Sequence, residues 1–205
     1  WFIFSEVMFF AAFFGALFYV RTFAGPWLGG EGAKGVAHVL WPNFEYLWPM
    51  LHSPDPKVFP APKEVIDPWH LPLLNTVLLV SSSVTLTIAH HALKHGKRGM
   101  LKAWLALTII LGASFLGFQA MEYVEAYREL GLTLGSGIYG STFFMLTGFH
   151  GAHVTIGTVM LAVMLVRVLR GHFDAEHQFS FEAASWYWHF VDVVWIALFV
   201  FVYVL

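Results

Sequence analysis

The sequence contains no cysteine. Disulfides, thiolate metal sites, iron–sulfur clusters and covalently attached haem are thereby excluded from this chain, and cysteine usage leaves the redox compartment unread. Charge is equally sparse. Asp, Glu, Lys and Arg make up 12% of the residues, against the roughly 25% of an average soluble domain. The net charge is -2 with no extended basic run, so nothing marks nucleic acid as a partner.

What is present is apolar: 58% hydrophobic residues, 18% aromatic, and a mean hydropathy of +0.67. Such a composition belongs to a polytopic membrane protein. Five apolar stretches, at about 1–20, 73–92, 101–123, 139–169 and 183–205, are each long enough to cross a hydrocarbon core of about 30 Å as helix. The fourth is long enough to tilt or to project beyond the bilayer. Outer-membrane strands alternate in polarity and these runs do not, so an all-α bundle forming a single transmembrane domain over 1–205 is expected.

The connections set the orientation. Lys94, Lys97, Arg98 and Lys102 follow the second span, and Arg167 and Arg170 end the fourth; positive density places both short loops in the cytoplasm. The long connection 21–72 is then external. Its Gly and Pro content predicts an ordered or semi-ordered cap with no helix of length. Trp1 opens inside an apolar run without initiator Met, flanking charge or signal-peptide architecture, which reads as a trimmed chain and makes five spans a lower bound.

Several polar groups stand inside the spans. His189 and Asp192 interrupt the last one, where an aspartate at the helix centre costs about 2.5 to 3.5 kcal/mol on insertion scales. Three residues apart, they share a helix face and can serve either an interhelical hydrogen-bond network or proton transfer. His150 and His153 repeat the spacing in the fourth span, beside Gly148, Gly151 and Ala152; polar glue at a close helix contact and a two-ligand metal face are both open. With Glu122 near the end of the third span, these four are the candidate buried polar network. Glu6, among Phe9, Phe10, Phe13 and Phe14, is an intramembrane carboxylate and a functional candidate, or else an acid bonded to a backbone carbonyl.

On the cytoplasmic side, His172 and His177 flank Asp174 and Glu176. They are a candidate proton antenna, or a solvated loop without that duty. His90, His91 and His95 invite comparison with histidine-box di-iron hydroxylases and desaturases, but those need about eight histidines converging at one depth. No metal site is expected in this chain.

The segment Phe181-Glu182-Ala183-Ala184-Ser185-Trp186-Tyr187-Trp188-His189-Phe190-Val191-Asp192-Val193-Val194-Trp195 resembles subunit III of haem-copper cytochrome c oxidases. Four other segments agree in order: Ser5-Glu6-Val7-Met8-Phe9-Phe10; Leu73-Leu74-Asn75-Thr76 leading to Ala89-His90-His91; Gln119-Ala120-Met121-Glu122-Tyr123; and Gly140-Ser141-Thr142-Phe143-Phe144 leading to Thr147-Gly148-Phe149-His150-Gly151-Ala152-His153-Val154.

The resemblance implies a non-catalytic core subunit of a respiratory terminal oxidase. Family members usually have seven helices, so two ahead of Trp1 are absent from this sequence. The resemblance further implies that haem and copper lie in partner subunits and none in this chain, and that the chain stabilises subunit I in a complex with subunits I and II. It implies support of proton uptake and bound phospholipid, with Arg167 holding a lipid phosphate where ordinary snorkelling is the other reading. Cytochrome c would dock elsewhere on the complex, in a bacterial plasma membrane or a mitochondrial inner membrane. Subunit III of a quinol oxidase shares the fold and is the alternative; His90-His91, Phe181-Glu182-Ala183-Ala184 and Asp67-Pro68-Trp69-His70-Leu71-Pro72 favour the cytochrome c type.

Overall fold

The computed structural model describes residues 1–32, 36–173 and 178–205, which form helices and connecting turns with no strand among them. Five helices are long and apolar enough to cross a membrane: Phe2–Leu28, Leu71–Lys94, Arg98–Arg128, Gly137–Leu169 and Phe179–Val204. The all-helical, five-span expectation holds. The first span consists of α1 (Phe2–Tyr19), a π-helical turn (Val20–Ala24) and α2 (Gly25–Leu28). After the short α3 (Ala37–Leu40) come α4 (Leu71–Lys94), α5 (Arg98–Arg128), α6 (Gly137–Leu169) and α7 (Phe179–Leu198), which continues into a π-helical turn at Phe199–Val204.

Two spans outrun the ends expected from apolarity. The first was expected to stop at Val20 and reaches Leu28, because the long connection supplies partners for the charge that interrupts it. The Arg21 guanidinium lies 5.5 Å from the Trp48 ring centroid, and the Tyr46 hydroxyl donates to the Arg21 carbonyl at 3.0 Å. A π-helical turn shifts carbonyls out of the regular ladder, and Tyr46 satisfies one of them. Gly25 permits the approach, since a Cβ there would collide with the Tyr46 ring. The third span was expected to end at Tyr123 and runs to Arg128; Glu125, Ala126 and Arg128 are good helix formers, so the helix outlasts its apolar stretch.

The chain divides into two compact units, Trp1–Ile66 with Tyr123–Gly148, and Asp67–Glu122 with Phe149–Leu205. In the first, described residues of the long connection are tied to the rest of the unit. Its Lys63 N–H donates to the Leu130 carbonyl at 3.0 Å, and Trp48 meets Tyr139 edge-on with centroids 5.7 Å apart. Within this unit Tyr123 and Thr147 also share a hydroxyl–hydroxyl bond of 2.7 Å.

The second unit is built around α7. Of the most apolar window of its span, 56% is buried, against 11% for the first span, so α7 is the internal helix and α1 is largely uncovered in this chain. Trp188 and Trp195, seven residues apart and thus on one face, are almost wholly buried. The Trp188 indole fills a slot left by two glycines: a Cβ on Gly112 or Gly157 would stand within 3 Å of the ring. Phe115 meets Trp195 edge-to-face at 4.7 Å and 89°, a favoured aromatic geometry.

Both basic turns lie at one end of this unit. α4 closes with Gly96 at φ 67° and the Lys97 N–H on the Ala92 carbonyl at 2.9 Å. α6 closes in the same way, with Gly171 at φ 79° and the His172 N–H on the Arg167 carbonyl at 3.1 Å. These are glycine-terminated helix ends in which a left-handed residue lets the chain satisfy the last carbonyls. Arg98 Nη2 donates to the Phe173 carbonyl at 3.1 Å, tying the start of α5 to the turn after α6. The same-side placement that positive charge predicts is thus met in the geometry.

Candidate functional site

The polar groups of the second unit form a seam between α7 and its neighbours. Trp188 Nε1 donates to Ser82 Oγ at 2.9 Å, and Trp195 Nε1 to Thr76 Oγ1 at 3.0 Å. On the α4–α5 side, Thr85 and Thr108 hydroxyls are 2.8 Å apart. Serine, threonine and indole groups are suited to this, because each can bond across helices while its bulk packs against apolar neighbours.

His189 and Asp192 both lie beside Ser83 of α4. His189 Nδ1 is 3.2 Å from Ser83 Oγ. Packing of this face of α7 against α4 keeps the carboxyl group away from acyl chains, as the cost of an intramembrane carboxylate requires. Asp192 is buried while His189 is half-buried. Thr87 Oγ1 stands 3.5 Å from His189 Nε2, at the outer limit of a bond.

The other histidine pair separates. His150 is wholly buried, and its Nε2 meets the Val191 carbonyl of α7 at 3.1 Å. The ring packs between Phe115 and Trp195, with centroids 5.7 and 5.0 Å away. His153 is half-buried, and its Nδ1 is 2.6 Å from the Phe149 carbonyl of its own helix. The two were expected to lie together in one buried network. A three-residue step rotates about 60° around the helix axis, enough to move His153 to the edge of the contact that His150 occupies. Glu122 is buried deep in the unit and accepts a 2.6 Å bond from the Tyr203 hydroxyl.

The remaining candidates lie apart from this seam. Glu6 is half-buried on α1. Arg167 is half-buried with its guanidinium 4.5 Å from the Phe173 ring centroid, a cation–π contact that holds the side chain at the end of α6. His172 is exposed, and His177 lies outside the described residues. His90 faces Phe181 with centroids 5.8 Å apart, whereas His91 and His95 pair with each other. Among the described residues no three His, Asp or Glu side chains gather as a ligand set, so the converging boxes of a di-iron hydroxylase are not formed there.

Outside the spans, burial raises the Tyr46 phenol above its ordinary value, with Arg21 opposing and Glu31 reinforcing the shift. The hydroxyl therefore keeps the proton that it donates to the Arg21 carbonyl.

The hydroxyls of α4 belong to this seam although neither charge nor histidine spacing marks them. Ser82, Ser83 and Thr85 are buried and point toward α5 and α7; a run of small hydroxyl residues within an apolar span is the signal that identifies such a seam.

Residues 54–205 match the family model described as cytochrome c oxidase subunit III. Curated relatives named cytochrome c oxidase subunit 3 include that of Formosania lacustris, 47% identical over 202 residues, which are 98% of this chain and 66% of the relative. Those of Cyprinus carpio and Scyliorhinus canicula are each 46% identical over the same shares. The chain spans 66% of the length of these relatives.

Proposed function

Because the chain belongs to the cytochrome c oxidase subunit III family, we propose that it is an accessory core subunit of a proton-pumping respiratory oxidase that passes electrons from cytochrome c to oxygen. It holds no haem or copper itself; those groups reside in partner subunits I and II. Its task is to brace the catalytic subunit within the membrane, to bind phospholipid and to support proton uptake on the basic side. The membrane is the mitochondrial inner membrane or its bacterial counterpart. One observation carries the reading: bonds from Trp188 to Ser82, Trp195 to Thr76 and His150 to Val191 run from helix to helix in the second unit, and such bonds rigidify a bundle rather than assemble a reaction centre.

Arg167 is the lipid-phosphate ligand in this proposal. The Phe173 ring holds its guanidinium at the basic end of the bundle, and the fork of N–H donors suits a phosphodiester. Arg167→Gln removes phospholipid that co-purifies with the complex; unchanged lipid content would leave Arg167 as a packing residue. His172 and His177 act as proton collectors. Replacing both slows turnover at alkaline pH, and an unaltered pH profile would end that assignment.

Deleting this chain from the oxidase tests the bracing role. The remaining complex keeps its haem absorption and its initial rate of oxygen reduction but loses activity faster over successive turnovers. An unchanged working lifetime would contradict it.

A further inference from the structure

The last turn of α4 ends in two imidazoles that the accessory-subunit role does not use. His91 and His95 are one helical turn apart and both exposed, with ring centroids 4.2 Å apart and planes inclined by 41°. The His95 Nδ1–H donates to the His91 carbonyl at 2.9 Å. That bond fixes the tautomer and leaves Nε2 as the lone-pair nitrogen, which is how metal-binding histidines are commonly oriented. Histidines at i and i+4 present two nitrogens on one helix face, the spacing that helical zinc sites use. His90, next in sequence, faces Phe181 instead.

The surroundings select the kind of ion. No Asp or Glu occurs between Asp67 and Glu122, so the helix turn itself offers Ca2+ and Mg2+ no carboxylate. Lys94, Lys97 and Arg98 flank the pair and repel cations, whereas the carbonyl end of a helix attracts them. An ion that bonds imidazole nitrogen strongly is favoured in that balance. We propose that His91 and His95 form a two-nitrogen site for a divalent transition ion of the Zn2+ or Cu2+ class, completed by water, that clamps the last turn of α4 at its junction with α5. The site is independent of the oxidase reading and of metals held by partner subunits.

The test is a Cu2+ titration of the full chain in lipid nanodiscs, followed by electron paramagnetic resonance, with Zn2+ as competitor. One Cu2+ binds with hyperfine structure from two imidazole nitrogens, and a large excess of Zn2+ is needed to displace it. His91→Ala and His95→Ala each weaken binding by about tenfold or more, while His172→Ala leaves it unchanged; circular dichroism confirms that all three variants remain helical. Equal affinity in wild type and both α4 variants, or the absence of a two-nitrogen spectrum, would overturn the site.

Discussion

Tyr203 donates its hydroxyl to the Glu122 carboxyl at 2.6 Å, joining the end of the last span to α5 across 81 residues of sequence. Both side chains are buried, so the acid loses a donor that water cannot replace when the hydroxyl is removed. Tyr203→Phe is expected to destabilise the bundle by about 1 to 3 kcal/mol. Glu122→Gln keeps an acceptor in place and costs less. Thermal unfolding in detergent ranks the three proteins, and identical melting would show that the pair contributes nothing.

The Trp188 slot makes a steric prediction. Gly157→Ala places a methyl group 2.8 Å from the indole, and overpacking of this kind costs about 1 to 3 kcal/mol. Gly117→Ala, at a helical position with open space beside it, is the control and leaves melting unchanged or slightly raised. If both variants melt alike, the indole is not held as described.

Tyr46 gives a pH dependence. Its phenol is raised by burial, so the folded state holds the proton more tightly than the unfolded one. Its effect on stability is constant below the ordinary value of 10.0, and stability is lost as pH climbs from there through the raised folded value. Limited proteolysis of the long connection should accelerate over that range. Tyr46→Phe removes the acceleration, and its persistence in the variant would assign the effect to another group.

Glu6 was singled out in the sequence as an intramembrane carboxylate, and it is half-buried on a helix whose span is largely uncovered in this chain. In the proposed assembly Glu6 would tune the subunit, with the complete proton path to the metal centre carried by the catalytic subunit. Glu6→Gln therefore assembles and pumps with near-normal stoichiometry in reconstituted vesicles. Complete loss of pumping with all subunits present would make Glu6 an obligatory carrier.

The spans were legible because apolar length is a one-dimensional property, and so was the shared side of the basic turns, which charge reports directly. Their ends were less so. Val20 marks the end of an apolar run, but the helix ends where partners for Arg21 run out, and those partners, Tyr46 and Trp48, are distant in sequence. The polar seam divided along the same line. His189 and Asp192 stood out as residues that lipid would not tolerate, whereas Ser83, which meets His189, belongs to a residue type common in membrane helices and shows its importance only through its neighbours. His153, half-buried, meets the same helix as His150 through Tyr187, whose ring stacks on it at 6.5 Å.

As proposed, this chain braces a redox complex without carrying a redox group. This is tested most directly by isolating the complex from its native membrane in mild detergent, separating the subunits, and measuring haem iron and copper in each. This chain is expected to co-purify with a haem-bearing subunit, and the haem iron and the redox-active copper are expected to stay with the partners on separation, any ion at His91 and His95 being removed first with a chelator. Haem retained by this chain would contradict the proposal.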